Sequence, residues 1–198
     1  GVGDACDPQP SIAKQHIKFF DPLTTAKPEW SLFGGASRVG ETIRFNGTTS
    51  GADLNVANGE TRFVIGGTIA AIGSSLPHQV SVSFGESVSS VYHYVEFWEN
   101  STTQGSVAVS KANNGTYTTL TQVNYTAPMP TGAWSMQVDS SVAAQTIRLA
   151  AKLGGAPYAP ALASTSTSPI LATGTQFSFY FQNVDVRLDY VVVIETMP

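Results

Sequence analysis

From Ser11 onward, apolar and polar residues alternate in short runs, and evidence for the three-to-four spacing of a helix face is thin. These runs predict strands over 16–20, 37–46, 61–72, 79–84, 91–98, 106–110, 117–125, 134–139, 146–153, 176–182 and 186–195. They are rich in Val, Ile, Thr, Phe and Tyr, and turn residues fall between them: Gly34-Gly35, Asn46-Gly47, Asn58-Gly59, Asn114-Gly115 and Gly154-Gly155. Short strands spaced by turns predict an all-β, antiparallel sandwich. The stretch from Ser141 to Leu153 alternates as well as it spirals and reads as turn plus strand. Residues 154–174 are dominated by Gly, Ala, Pro, Ser and Thr and predict a long loop, of the kind that is usually functional or mobile.

The terminal strands share a character. His16 to Asp21 and Phe179 to Val193 are both aromatic and β-branched with alternating polar positions, which predicts that they pair side by side. Length and composition narrow the picture further. At 198 residues the chain suits one domain with a sizeable core. Charged residues are 12%, against about 25% in average soluble domains, so the surface relies on serine and threonine hydroxyls, a common look for exported proteins. A net charge of -4 and scattered basic residues offer no stripe for a phosphate backbone, so nucleic acid is not an expected partner. No apolar run approaches the ~20 residues of a membrane span. Cys6 is the only cysteine, which leaves no internal disulfide.

The strongest binding candidate is the run from Val91 to Glu99. Alternation puts Tyr92, Tyr94, Glu96 and Trp98 on one face and His93, Val95 and Phe97 on the other. Rings can stack on the C–H faces of sugars while Glu96 accepts hydroxyl hydrogen bonds. The alternative is that the three rings fill the sandwich core. Glu96 discriminates, because a carboxylate among rings should reach water or meet an arginine such as Arg62 or Arg148. Trp30 and Trp134 read as core plugs.

Catalysis finds less support. A retaining glycosidase needs two carboxylates about 5 Å apart, and the offset of three between Glu96 and Glu99 sends them to opposite faces of a strand. A lyase set would draw on Arg62, His78, Gln79 and Tyr180, which supply the residue types without a local motif. His16, His78 and His93 lack metal-ligand spacing and read as structural. Asp21, Asp185 and Asp189 could form a calcium site with Asn183 where the terminal strands pair, but turn capping and pairing with Arg187 are the plainer roles. Sequons at Asn46, Asn100, Asn114 and Asn124 are compatible with surface positions.

Two resemblances carry specific expectations. Phe20-Asp21, the Trp30 to Gly35 segment and Tyr180 through Val193 resemble the opening and closing strands of the concanavalin A-like lectin and laminin-G-like superfamily, which implies a jelly-roll β-sandwich over 11–198. Gly1, Gly3, Asp4, Cys6 and Asp7 resemble the end of a thrombospondin type 3 repeat, which implies that residues 1–10 close a calcium-binding segment. Asp4 and Asp7 cannot complete a calcium shell of about six to eight oxygens, so the natural protein is expected to extend upstream. Together they imply a secreted or cell-surface recognition module, with carbohydrate as the first expected ligand, bound with or without the help of calcium ordering a loop, and a cell-surface protein as the second. A glycan-active enzyme and a ligand-free adhesive or structural domain are the alternatives.

Overall fold

The computed structural model describes residues 15–88 and 90–196. The expected calcium ligands Asp4 and Asp7, and with them Cys6, lie outside those residues. The described residues form thirteen strands and no helix: β1 (Gln15–Asp21), β2 (Trp30–Val39), β3 (Thr42–Leu54), β4 (Thr61–Ile72), β5 (His78–Val88), β6 (Val91–Glu99), β7 (Gln104–Asn113), β8 (Thr116–Thr126), β9 (Gly132–Ser141), β10 (Thr146–Leu153), β11 (Ala156–Thr165), β12 (Phe177–Gln182) and β13 (Val184–Thr196). Every pairing is antiparallel, in the order β11-β10-β9-β4-β13-β3-β12-β5-β6-β7-β8, with β1 on β13 and β2 on β3. The path curls on itself, so that β11 lies against β8 and the two halves face each other as a sandwich.

The core is the space between the halves. Phe97 of β6 meets Trp134 of β9 edge-on at 6.2 Å, Phe63 of β4 meets Phe84 and Phe177 at 5.5 and 4.9 Å, and Phe45 stacks on Phe181 at 4.0 Å. Burying one such ring contributes roughly 2–3 kcal/mol, and the ring pairs add to that. Trp30 and Trp134 are both buried, as their sequence context predicts. The terminal strands do pair, with His16 opposite Glu195 and Phe20 opposite Val192.

Asn46-Gly47 is not a hairpin turn. It sits inside β3, at the point where that strand exchanges one partner for another: Ile43 to Phe45 pair with β13, and Ser50 to Leu54 pair with β12. Gly47, at φ 122°, supplies the backbone freedom for the crossing. The dipeptides Asn114-Gly115 and Gly154-Gly155, all at positive φ, are two-residue hairpin connections.

The long loop expected over 154–174 is half strand. β11 pairs along β10 as an edge strand, where small residues and proline are tolerated because only one ladder must be completed. The remainder is held by side chains. Gln145 donates to the Leu171 carbonyl at 2.9 Å and accepts from its N–H at 2.8 Å, while Asn58 accepts the Gly174 N–H at 3.2 Å. Lys111 donates to the Ser168 carbonyl.

Candidate functional site

The outer face of the β2-β3-β12-β5-β6-β7-β8 half carries a cleft of about 1040 Å³. Strand pairing assembles it in rows. One runs Phe33, Gly51, Tyr180, Ser81, Glu96, Ala108 and Gln122, a residue from each of seven strands. Beside it, Asp53, Ser178, Ser83, Tyr94, Ser110 and Thr119 are aligned, and on the other side Gln79, Trp98, Ser106 and Asn124. Small residues flank Glu96 on both neighbouring strands, so the cleft floor lies at Ser81 and Ala108, and the rings of Tyr180, Tyr94 and Trp98 stand around it.

Tyr92, Tyr94, Glu96 and Trp98 all line this cleft, while His93, Val95 and Phe97 point into the core and are fully buried. The rings continue beyond β6: Tyr92 and Tyr94 are 6.0 Å apart, and Tyr117 of β8, 65% exposed, meets Tyr94 edge-on at 6.3 Å. At the far end, Gly51 leaves room for Phe33; a Cβ there would come within 2.4 Å of its ring.

Glu96 is only 7% exposed and meets no arginine. Gln79 donates to its Oε2 at 2.8 Å and Ser110 to its Oε1 at 3.5 Å. Arg62, one expected partner, instead forms a fork with Asp139 in the opposite half of the sandwich, and Arg148 is exposed on β10. The reason is topological: β4 and β10 belong to the half that faces the core side of β6. Burial pushes the Glu96 carboxyl up to about 7, against the opposing pull of the Gln79 and Ser110 hydrogen bonds. Burial beside Glu96 also raises the Tyr94 phenol.

The other polar candidates do not join this site. Of the lyase types, Gln79 and Tyr180 line the cleft, but His78 is buried on the other face, where Nδ1 meets Glu99 Oε1 at 2.9 Å and Nε2 donates to the Gly73 carbonyl. Glu96 and Glu99 therefore stand on opposite faces, as their spacing predicts. Asp53 is the other carboxylate of the lining; three strand spacings, about 14 Å of sheet, separate it from Glu96. Asp21 accepts from Trp30 Nε1 at 2.7 Å and from the Leu23 N–H at 2.8 Å, whereas Asp185 is forked by Arg44 at 2.9 and 2.6 Å. These aspartates serve a turn and an ion pair, and among the described residues no group of three His, Cys, Asp or Glu side chains could hold a metal ion.

Phe33, Asp53, Tyr117 and Gln122 escaped the sequence reading. Each lies on an alternating strand, but only the pairing shows that their polar faces are the face shared with Glu96.

No protein-family model matches the sequence, and no curated protein matches it significantly. Solved structures do match the fold. The CBM2 module of the evolved Dit protein of Lactobacillus casei BL23 phage J-1 superposes with a TM-score of 0.65 at 6% identity, over 92% of this chain and 96% of that one. A Bauhinia forficata lectin in complex with GalNAc gives 0.62 at 10% identity, over 91% and 98%. The β-glucanase of Bacillus licheniformis gives 0.58 at 10% identity, over 90% and 98%. The chain thus has the antiparallel jelly-roll fold of the concanavalin A-like lectins and glucanases.

Proposed function

We propose that this chain is a non-catalytic recognition module that binds carbohydrate in the cleft over β6. The observation that carries the reading is the continuous face of rings and hydrogen-bonding groups around Glu96, spread across the paired strands of one half of the sandwich. Tyr94, Trp98 and Tyr180 offer stacking surfaces, and Gln79, Glu96 and Gln122 offer donors and acceptors for sugar hydroxyls. The names of the structural neighbours, which include carbohydrate-binding modules and lectins, support it.

In this proposal the module is secreted or displayed at a cell surface, and calcium belongs to Asp4 and Asp7 with upstream sequence rather than to the cleft. Glycan-array and polysaccharide-retention screens, run with calcium and again with chelator, test the binding and whether the cleft depends on calcium. Retention that Trp98→Ala abolishes, and that chelator leaves unchanged, is the expected result. Silence across all glycans would overturn the reading in favour of a protein partner or an adhesive role.

A glycan-active enzyme is the second reading, favoured by the β-glucanase likeness and by a carboxyl pushed to about 7, where it can act as a general acid. Against it, paired carboxylates work at about 5–9.5 Å, and Asp53 lies farther off than that. New reducing ends or unsaturated product from any bound glycan would reinstate it.

A further inference from the structure

The cleft has a direction and a charge character, and both restrict what it can hold. Its central row crosses seven strands from Phe33 on β2 to Gln122 on β8, a span of six strand spacings or about 29 Å. β2 and β8 are the two edges of this half of the sandwich, so no further strand of that half walls off either end. Each end carries an exposed ring: Phe33, 44% exposed and seated over Gly51, and Tyr117, 65% exposed and in contact with Tyr94. Between them, the charged residues among the described lining are Asp53 and Glu96, with no lysine or arginine.

Resting on the carbohydrate-binding reading, we infer that the cleft takes internal segments of a long, uncharged polysaccharide running across the strands, with Phe33 and Tyr117 as its outermost stacking platforms. A single sugar fills only part of such a groove, whereas a chain can contact every strand and leave at both edges. Uronate or sulfate groups would find no lysine or arginine in the lining to receive them and would face the Asp53 carboxylate, joined by Glu96 wherever that carboxyl is ionised, so anionic chains are disfavoured by desolvation and by repulsion. The neutral hydroxyls of an uncharged chain match the amide and hydroxyl groups of Gln79, Ser81 and Gln122.

The test uses the 198-residue chain and four soluble polymers at low ionic strength: a β-glucan and a galactomannan as uncharged probes, polygalacturonate and heparin as anionic ones. An oligosaccharide ladder of whichever polymer binds follows. Expected are retention on an uncharged polymer alone, affinity that rises at least tenfold from disaccharide to hexasaccharide, and roughly tenfold losses on the polymer for Phe33→Ala and for Tyr117→Ala, with the disaccharide unaffected. Both rings are exposed, so unchanged melting temperatures accompany those losses. Preference for an anionic polymer, or a disaccharide binding as tightly as the polymer, overturns this inference and leaves the carbohydrate reading standing. Binding to none of the polymers or to any array glycan overturns both.

Discussion

β6 presents two faces built from consecutive residues, and they solve the problem of a buried polar group in different ways. On the core face, His93 and Glu99 are each enclosed with one dedicated partner, while His93 Nδ1 and Glu99 Oε2 are buried without one. Ser166 uses its one proton on the Pro169 carbonyl at 2.7 Å, so it accepts from His93 Nε2 at 2.6 Å, and Glu99 is met by His78. On the cleft face, Glu96 is enclosed by the groove and held by a neutral amide and a hydroxyl, with no counter-charge among its hydrogen-bond partners. The core face spends its polar groups on fixing loops and turns. The cleft face leaves a carboxyl whose hydrogen-bonding capacity is available to something outside the protein.

The comparison breaks most sharply at Phe97. Truncating this fully buried ring to alanine is expected to cost about 3–5 kcal/mol, read from denaturant unfolding, because a cavity opens beside Trp134. A loss below about 1 kcal/mol would show that this face is not the core side. Next is His78→Ala, which leaves the Glu99 carboxyl buried with neither oxygen partnered, since Oε2 already lacks a hydrogen bond. About 3 kcal/mol of stability should go with it, and replacing Glu99 by glutamine in the same background should recover part of that.

Acidity gives a finer division. The folded protein binds the Glu96 proton more tightly than the unfolded chain, so this residue makes stability fall as pH rises from 4.5 to about 7, by about 3 kcal/mol. His93 acts in the opposite sense. Burial, with Lys111 nearby, lowers its ring from 6.5 to about 4, so its contribution rises as pH rises across that window. The two slopes oppose each other over nearly the same range, and the intact protein is expected to show a shallow dependence there. Glu96→Gln should expose a stability that climbs with pH, and His93→Gln one that declines, each followed by melting temperature in steps from pH 4 to pH 8. Identical profiles for the two variants would mean that the faces are not electrostatically distinct.

A smaller stability effect is expected at Trp98. It is partly buried on the cleft face, and Trp98→Ala should cost about 1–2 kcal/mol of unfolding free energy, well below the loss at Phe97, while abolishing glycan retention. A loss like that at Phe97 would reassign the ring to the core.

Much of this arrangement is legible from local pattern. The alternation from Tyr92 to Trp98 is a period of two, which strand geometry imposes without reference to any other segment, and it separates the rings and Glu96 from Val95 and Phe97 correctly. The pairing of the terminal strands was visible in their shared composition. Less visible was β11, because Ala, Pro, Ser and Thr mark a loop by propensity, and only the ladder offered by β10 turns them into an edge strand. Asn46-Gly47 misled for a related reason: an Asn-Gly pair ends a hairpin only when the flanking residues pair with each other, and here they pair with β13 and β12.

What the sequence by itself determined is the fold class and the composition of each strand face, since both follow from short-range periodicity and turn chemistry. Which faces meet was decided by tertiary structure alone. Gln79 reaches Glu96 across 17 positions, Tyr180 enters the same row from 84 positions away, and Phe33 closes it from the other end of the chain. Register between distant strands is set by the whole packed core, because a slip of one residue would send every ring on a strand to the wrong side of the sheet. Arg62 and Arg148, the arginines considered as partners for Glu96, lie in the other half of the sandwich because the strand order places β4 and β10 there.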